Sequence, residues 1–114
     1  MRFEKKKLAK LIDEIASYCL SKGACSLTID LKTEEDRHLI HVEAKGVSIS
    51  ARELKQVQEH ISSHREVEME EYYWSLVGDS VTQDELTLVA SMTDVASATL
   101  EGDLLKIELM RLIK

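Results

Sequence analysis

The sequence predicts an α+β fold: a two-layer α/β sandwich, with a mixed sheet of about four strands covered by helices on one face. Three observations predict it. Two segments in the first half alternate apolar and polar residues, and another pair does so at the end of the chain. The segments before and between them repeat apolar residues at helical spacing. No proline and no Gly/Ser-rich linker divides the 114 residues, so one domain over residues 1–114 is expected.

Residues 3–22 read as a helix, because Leu8, Leu11, Ile12, Ile15, Ala16, Cys19 and Leu20 recur on one stripe. Gly23 stops it, as a residue able to take positive φ. Residues 25–32 then alternate, with Cys25, Leu27, Ile29 and Leu31 inward and Ser26, Thr28, Asp30 and Lys32 outward. Residues 38–44 alternate again through Ile40, Val42 and Ala44. The short polar link 33–37 makes the two an antiparallel hairpin.

Ser50 is a suitable N-cap for a helix over about 51–62, with Glu53 at the capping-box position. Leu54, Val57 and Ile61 form its buried stripe. A further helix is expected over 66–77, with Met69, Tyr72 or Tyr73, Leu76 and Val77 packing and Gly78 ending it. Asp84 can cap a segment over about 85–94, with Leu86, Val89, Ala90 and Thr93 facing in. Residues 95–101 are small and β-rich. Gly102 and Asp103 supply a turn, and Leu105, Ile107 and Leu109 alternate with Lys106, Glu108 and Met110.

Composition excludes some function classes. Hydrophobic content of 44% and charged content of 32% suit a soluble globular chain. No apolar run reaches membrane-spanning length. The basic start lacks the apolar core of a secretory signal, because Asp13 and Glu14 interrupt it, so a cytoplasmic location is the expectation. A net charge of -6 argues against general nucleic-acid binding, which needs Lys and Arg to neutralise phosphates.

The charge is uneven. Residues 1–10 carry five basic side chains and one acid, whereas 64–85 carry seven acids and only Arg65. These are either two solvated faces or an acidic docking surface for a basic partner. Cys19 and Cys25 fit no zinc or redox spacing and read as small core residues.

Residues 41–57, HVEAKGVSISARELKQV, run from a strand through Gly46 into a helix. This stretch resembles the segment holding the adenine-binding Asp of the GHKL superfamily, the histidine-kinase-type and anti-sigma-factor-kinase-type ATPases. The family pattern there is Asp-x-Gly-x-Gly followed by an apolar residue. Here it reads Ala44, Lys45, Gly46, Val47, Ser48, Ile49. The order of elements from about Leu8 to Leu112 is similar too. So is the closing hairpin, in Ser97, Ala98, Thr99, Leu100, Glu101 and Gly102 through Ile107, Glu108 and Leu109.

The resemblance implies an ATP site whose contacts are lost. Ala44 stands where the adenine acceptor belongs, and a ligand amine left there without a partner would cost on the order of 1–3 kcal/mol. The family's first motif, Glu-x-x-x-Asn, reads Glu14-Ile15-Ala16-Ser17-Tyr18. It keeps the Glu and loses the magnesium-binding Asn, and a neutral phenol is a poor magnesium ligand. The glycine-rich phosphate loop corresponds to 82–88, TQDELTL, which has no glycine and carries two acids.

The expectation is therefore a degenerate family member: a non-catalytic regulatory or protein-interaction module, binding no cofactor or metal. Glu14 is the one catalytic-type residue kept, and it reads more readily as a solvent-facing helix carboxylate. Tyr18, Ala44, Gly46 and Ser48 would line the residual cleft. Glu70, Glu71, Tyr72, Tyr73 and Trp74 would meet a protein partner or a second copy of the chain, because aromatics beside acids can form a binding hot spot. Neither nucleic acid nor a membrane is expected as a partner. The alternative is a nucleotide or small-molecule sensor, or a kinase-like ATPase of altered specificity, using that cleft with Glu14 polarising a water. His60 and His64 have zinc-compatible spacing but no third ligand, and His38 and His41 should face opposite sides of their strand.

Overall fold

A computed structural model of the chain describes residues 4–61, 89–90 and 92–113. Its elements are α1 (Glu4–Ser21), β1 (Ser26–Thr33), β2 (Arg37–Lys45), α2 (Ala51–Ile61), β3 (Val95–Glu101) and β4 (Leu104–Leu112). The strands form one sheet in the order β1-β2-β4-β3. The α+β class, the four strands and both hairpins agree with the sequence reading. The expected helix over 66–77 lies outside the described residues. Among the described residues no helix is long and apolar enough to cross a membrane.

The expectation of a mixed sheet is corrected: every neighbouring pair is antiparallel. The reason lies in the closing hairpin. β4 carries the larger inward side chains, Leu105, Ile107 and Leu109, and all three are buried. It takes the central place beside β2, while β3, with Ala96 and Ala98 inward, goes to the edge. Small residues there let α2 come close, and Gln58 on α2 donates a hydrogen bond to the Ala98 carbonyl at 2.7 Å.

The core is the inward face of β2 and β4. Ile40 pairs with Leu109, Val42 with Ile107 and Ala44 with Leu105. Leu8, Leu11, Ile15, Tyr18 and Cys19 of α1 and Val57 and Ile61 of α2 belong to the same cluster. Fully burying a side chain such as Leu11 or Ile107 contributes roughly 1.5–3 kcal/mol. The α1 stripe differs from the expected one by a rotation. Leu20 is 60% exposed, and Tyr18 is buried instead. Residues 8, 11, 15, 18 and 19 keep one helical face, whereas position 20 has turned off it.

Local signals set the ends. α1 stops in a Schellman arrangement: Ala24 N–H reaches Cys19 C=O and Gly23 N–H reaches Leu20 C=O, each at 3.1 Å. Ser50 caps α2 by accepting from Glu53 N–H at 3.1 Å. The Glu53 carboxylate pairs with Lys22 at the end of α1, so half of the expected capping box becomes a tie between the two helices. Val89, Ala90 and Thr93 are buried, as expected for the segment before β3. Leu86, expected beside them, lies outside the described residues.

Three glycines have positive φ: Gly23 (φ 95) at the end of α1, as expected, and two more that need it for different reasons. Gly102 (φ 64) opens the two-residue turn between β3 and β4, and nothing stands within 4 Å of where a Cβ would be. Gly46 (φ 87) ends β2, and a Cβ there would lie 2.8 Å from Cys25 Sγ. Gly46→Ala is expected to destabilise by about 1–3 kcal/mol and Gly102→Ala by about 1 kcal/mol, because only the first adds a clash to the backbone strain. Urea unfolding of both variants measures the order, and a larger loss at Gly102 would contradict it.

Candidate functional site

The positions compared with the ATP-site motifs fall into two environments. Tyr18 and Ala44 are in the buried core. Ala44 has no exposed surface, and its register partners are Leu27 on β1 and Leu105 on β4. Around it runs an apolar row across the sheet. Lys22 Nζ stands 5.7 Å from the centre of the Tyr18 ring, a cation–π distance. Glu14, expected as a solvent-facing carboxylate, is instead buried on α1, 3.2 Å from Lys10 Nζ. Burial opposes the Lys10 ammonium, yet its contacts with Glu14 and Asp13 hold its pKa above the ordinary value.

Gly46 and Ser48 lie in the loop after β2, where the chain meets the end of α1. Ser48 is exposed, and its N–H donates to Lys22 C=O at 3.0 Å. Gly46 and Val47 N–H both donate to Asp103 C=O at 3.0 Å. One carbonyl thus ties this loop to the β3–β4 turn. The structure brings Gly46 and Ser48 together with Lys22 and Cys25 as a packed junction of backbone.

Cys25 corrects an expectation. The alternation places it inward, whereas it precedes β1 and is exposed. Its Sγ contacts Lys45 C=O at 3.4 Å. Cys19 is buried as expected, and burial pushes its thiol up to about 11, so it stays protonated at neutral pH. Glu70, Glu71, Tyr72, Tyr73 and Trp74, the run 82–88 and His64 lie outside the described residues. Among the described residues no group of three or more His, Cys, Asp and Glu side chains is placed to hold a metal ion.

Two polar clusters were not anticipated. The first is buried at the far end of the sheet. Arg111 of β4 is 1% exposed and meets Glu4 of α1 in a bidentate pair, with Nε and one terminal nitrogen each 2.9 Å from a carboxylate oxygen. Its other terminal nitrogen donates to Met92 C=O at 2.8 Å. His38, the register partner of Arg111, has Nε2 at 3.2 Å from Glu4, out of line for a hydrogen bond. Its Nδ1 lies 2.9 Å from Thr33 Oγ1. This arrangement clamps the start of α1 and the segment before β3 onto the sheet. Arg111 and His38 are buried in it, while the Glu4 side chain is partly exposed.

The second cluster is on the open face of the sheet. His41 Nε2 lies 2.9 Å from Glu43 Oε2, and Nδ1 lies 3.5 Å from Glu108 Oε1. The two histidines therefore do face opposite sides. A shallow pocket of about 340 Å³ adjoins His41, lined by Asp30, Lys32, Leu39 and Glu108 among others.

The parity of each strand could have revealed both clusters. Positions 38, 40, 42 and 44 share one face of β2, and 105, 107, 109 and 111 share one face of β4. Extending the apolar alternation by one step reaches His38 and Arg111.

No protein-family model matches this chain, and no curated protein matches its sequence.

Glu4→Ala should cost about 3–5 kcal/mol, because it leaves the Arg111 guanidinium buried beside a missing carboxylate. Replacing Glu4 and Arg111 together with Met should recover much of that loss. Chemical denaturation of the single and double variants measures this, and additive losses would contradict the clamp. The hydrogen bond to Glu43, helped by Glu108, raises the His41 pKa above its ordinary 6.5. A raised pKa means that the pair stabilises the fold below the ordinary value and that this contribution fades as pH rises through the folded one. NMR titration should place His41 above 6.5 and show a decrease in Glu43→Gln.

Proposed function

We propose that this chain is a non-catalytic regulatory or protein-interaction module, built like a histidine-kinase-type ATP-binding domain that has lost its nucleotide contacts. One observation carries the reading. Ala44, which stands at the adenine-acceptor position of the resemblance, is packed without exposed surface in an apolar row between Leu27 and Leu105. Tyr18, at the metal-ligand position, belongs to the same core. Both positions serve packing, which needs no ligand.

The geometry around Gly46 supports the same reading. A glycine there suits the backbone, through its positive φ and the approach of Cys25. Its presence therefore needs no phosphate or adenine nearby. The basic start of the chain and the acidic-aromatic stretch 70–74, which lies outside the described residues, are the segments proposed to meet a protein partner.

A ligand that binds only the folded state raises the melting temperature by mass action. Melting with ATP, ADP, GTP and cyclic nucleotides, each with and without magnesium, should give no shift. A rise of several degrees with any of them would favour a nucleotide sensor instead. Ala44→Asp should also destabilise strongly, by several kcal/mol, because it buries a carboxylate in an apolar row. Retained stability in that variant would show that position 44 is open to a polar group.

A further inference from the structure

The sheet has two edges, and they are treated differently. At β3 the Gln58 side chain reaches the strand from α2. At β1 the last four residues, Asp30, Leu31, Lys32 and Thr33, are all exposed, and β2 is the only strand that pairs with β1 among the described residues. Exposed strand edges are templates for another chain and are commonly blunted by bulges, proline or unmatched charges. β1 is eight residues long and contains no proline. Its charges are one of each sign, two residues apart.

The direction of its free backbone groups follows from the hairpin. Glu34 N–H donates to Arg37 C=O at 2.8 Å, so positions 34 and 37 form a hydrogen-bonded pair. Antiparallel pairs alternate between bonded and non-bonded. Lys32 with Leu39 and Asp30 with His41 are then bonded pairs whose N–H and C=O point to β2. Ile29, Leu31 and Thr33 turn theirs to the outer edge.

We propose that β1 pairs with β1 of a second copy of this chain, antiparallel, with the twofold axis at Leu31. The two sheets then join into one. Leu31 meets Leu31 of the other copy and Ile29 meets Thr33, each pair exchanging N–H···O bonds across the edge. Asp30 stands opposite Lys32 of the other copy, in a non-bonded pair where side chains approach most closely. Leu31 is 40% exposed on the helix-covered side, and this arrangement covers it.

Charge favours this register over those centred on its neighbours within residues 29–32. A twofold at Asp30 would oppose two carboxylates, and one at Lys32 would oppose two ammonium groups. A twofold at Ile29 would set Asp30 against Thr28 and Lys32 against Ser26, leaving both charges unmatched. A twofold between residues would place outward backbone groups against inward ones and exchange the two faces.

Sedimentation of the full chain from about 10 μM to about 1 mM tests the proposal, with circular dichroism to confirm folding. The wild-type chain should form dimers within this range. Asp30→Lys should weaken the dimer about tenfold, because it makes two like-charge pairs. Asp30→Lys combined with Lys32→Asp should restore it, since the pairing is reciprocal. Leu31→Asp, at an exposed position, should give a folded monomer. A wild-type chain that stays monomeric at about 1 mM would overturn the proposal. So would a dimer indifferent to Asp30→Lys, or a double variant as weak as the single one.

Discussion

The rest of the structure depends on the register between β2 and β4. It sets Ile40, Val42 and Ala44 against Leu109, Ile107 and Leu105 on one face, all of them buried. α1 and α2 pack onto that face, and the outer strands extend it. The same register sets His41 and Glu43 against Glu108 and Lys106 on the other face. Because side chains alternate with period two, a slip of either strand by one residue would drive its own pair of these polar residues into the core. The alternative registers are excluded by charge as much as by shape.

Several contacts hold this register at both ends. Near the β3–β4 turn, Asp103 C=O receives the N–H groups of Gly46 and Val47. At the opposite end, Asp94 accepts from Leu112 N–H at 2.7 Å, and Ile113 N–H reaches Asp36 C=O at 2.9 Å. The Arg111–Glu4 pair then fastens α1 across the end of the sheet. Replacing a large core residue such as Ile107 by Ala would cost roughly 2–5 kcal/mol through lost burial and a cavity. The junction at Gly46 belongs to this bracing, which gives a physical reason for the motif-like shape of the loop.

Much of the fold was legible because alternation and helical spacing are local. β1, β2, β3 and β4 lie within a residue or two of the expected bounds, and so do α1 and α2. Strand order was not legible in the same way. It depends on which strand of the closing hairpin best fills the centre, a comparison between β3 and β4 rather than a property of either. Cys25 and Leu20 were misplaced because each was judged by its apolar character and its neighbours, before the sheet edge and helix face were known. At the candidate site, the burial of Ala44 follows from the parity of β2, and the split between His38 and His41 was foreseen. The Arg111 clamp was missed because a buried guanidinium shows only as a charge in sequence. Strand parity places His38 and Arg111 on the inward faces, but only the register sets them side by side.

The central claim is that the paired inward faces of β2 and β4 hold this fold together. Native-state hydrogen exchange of the ligand-free chain tests it most directly, because protection ranks the elements by the free energy needed to open them. The slowest amides should be those of residues 40–44 and 105–109, exchanging only through global unfolding, with the edge strands opening more easily. Fast exchange at those central positions, or protection that arises only after a nucleotide is added, would contradict the account.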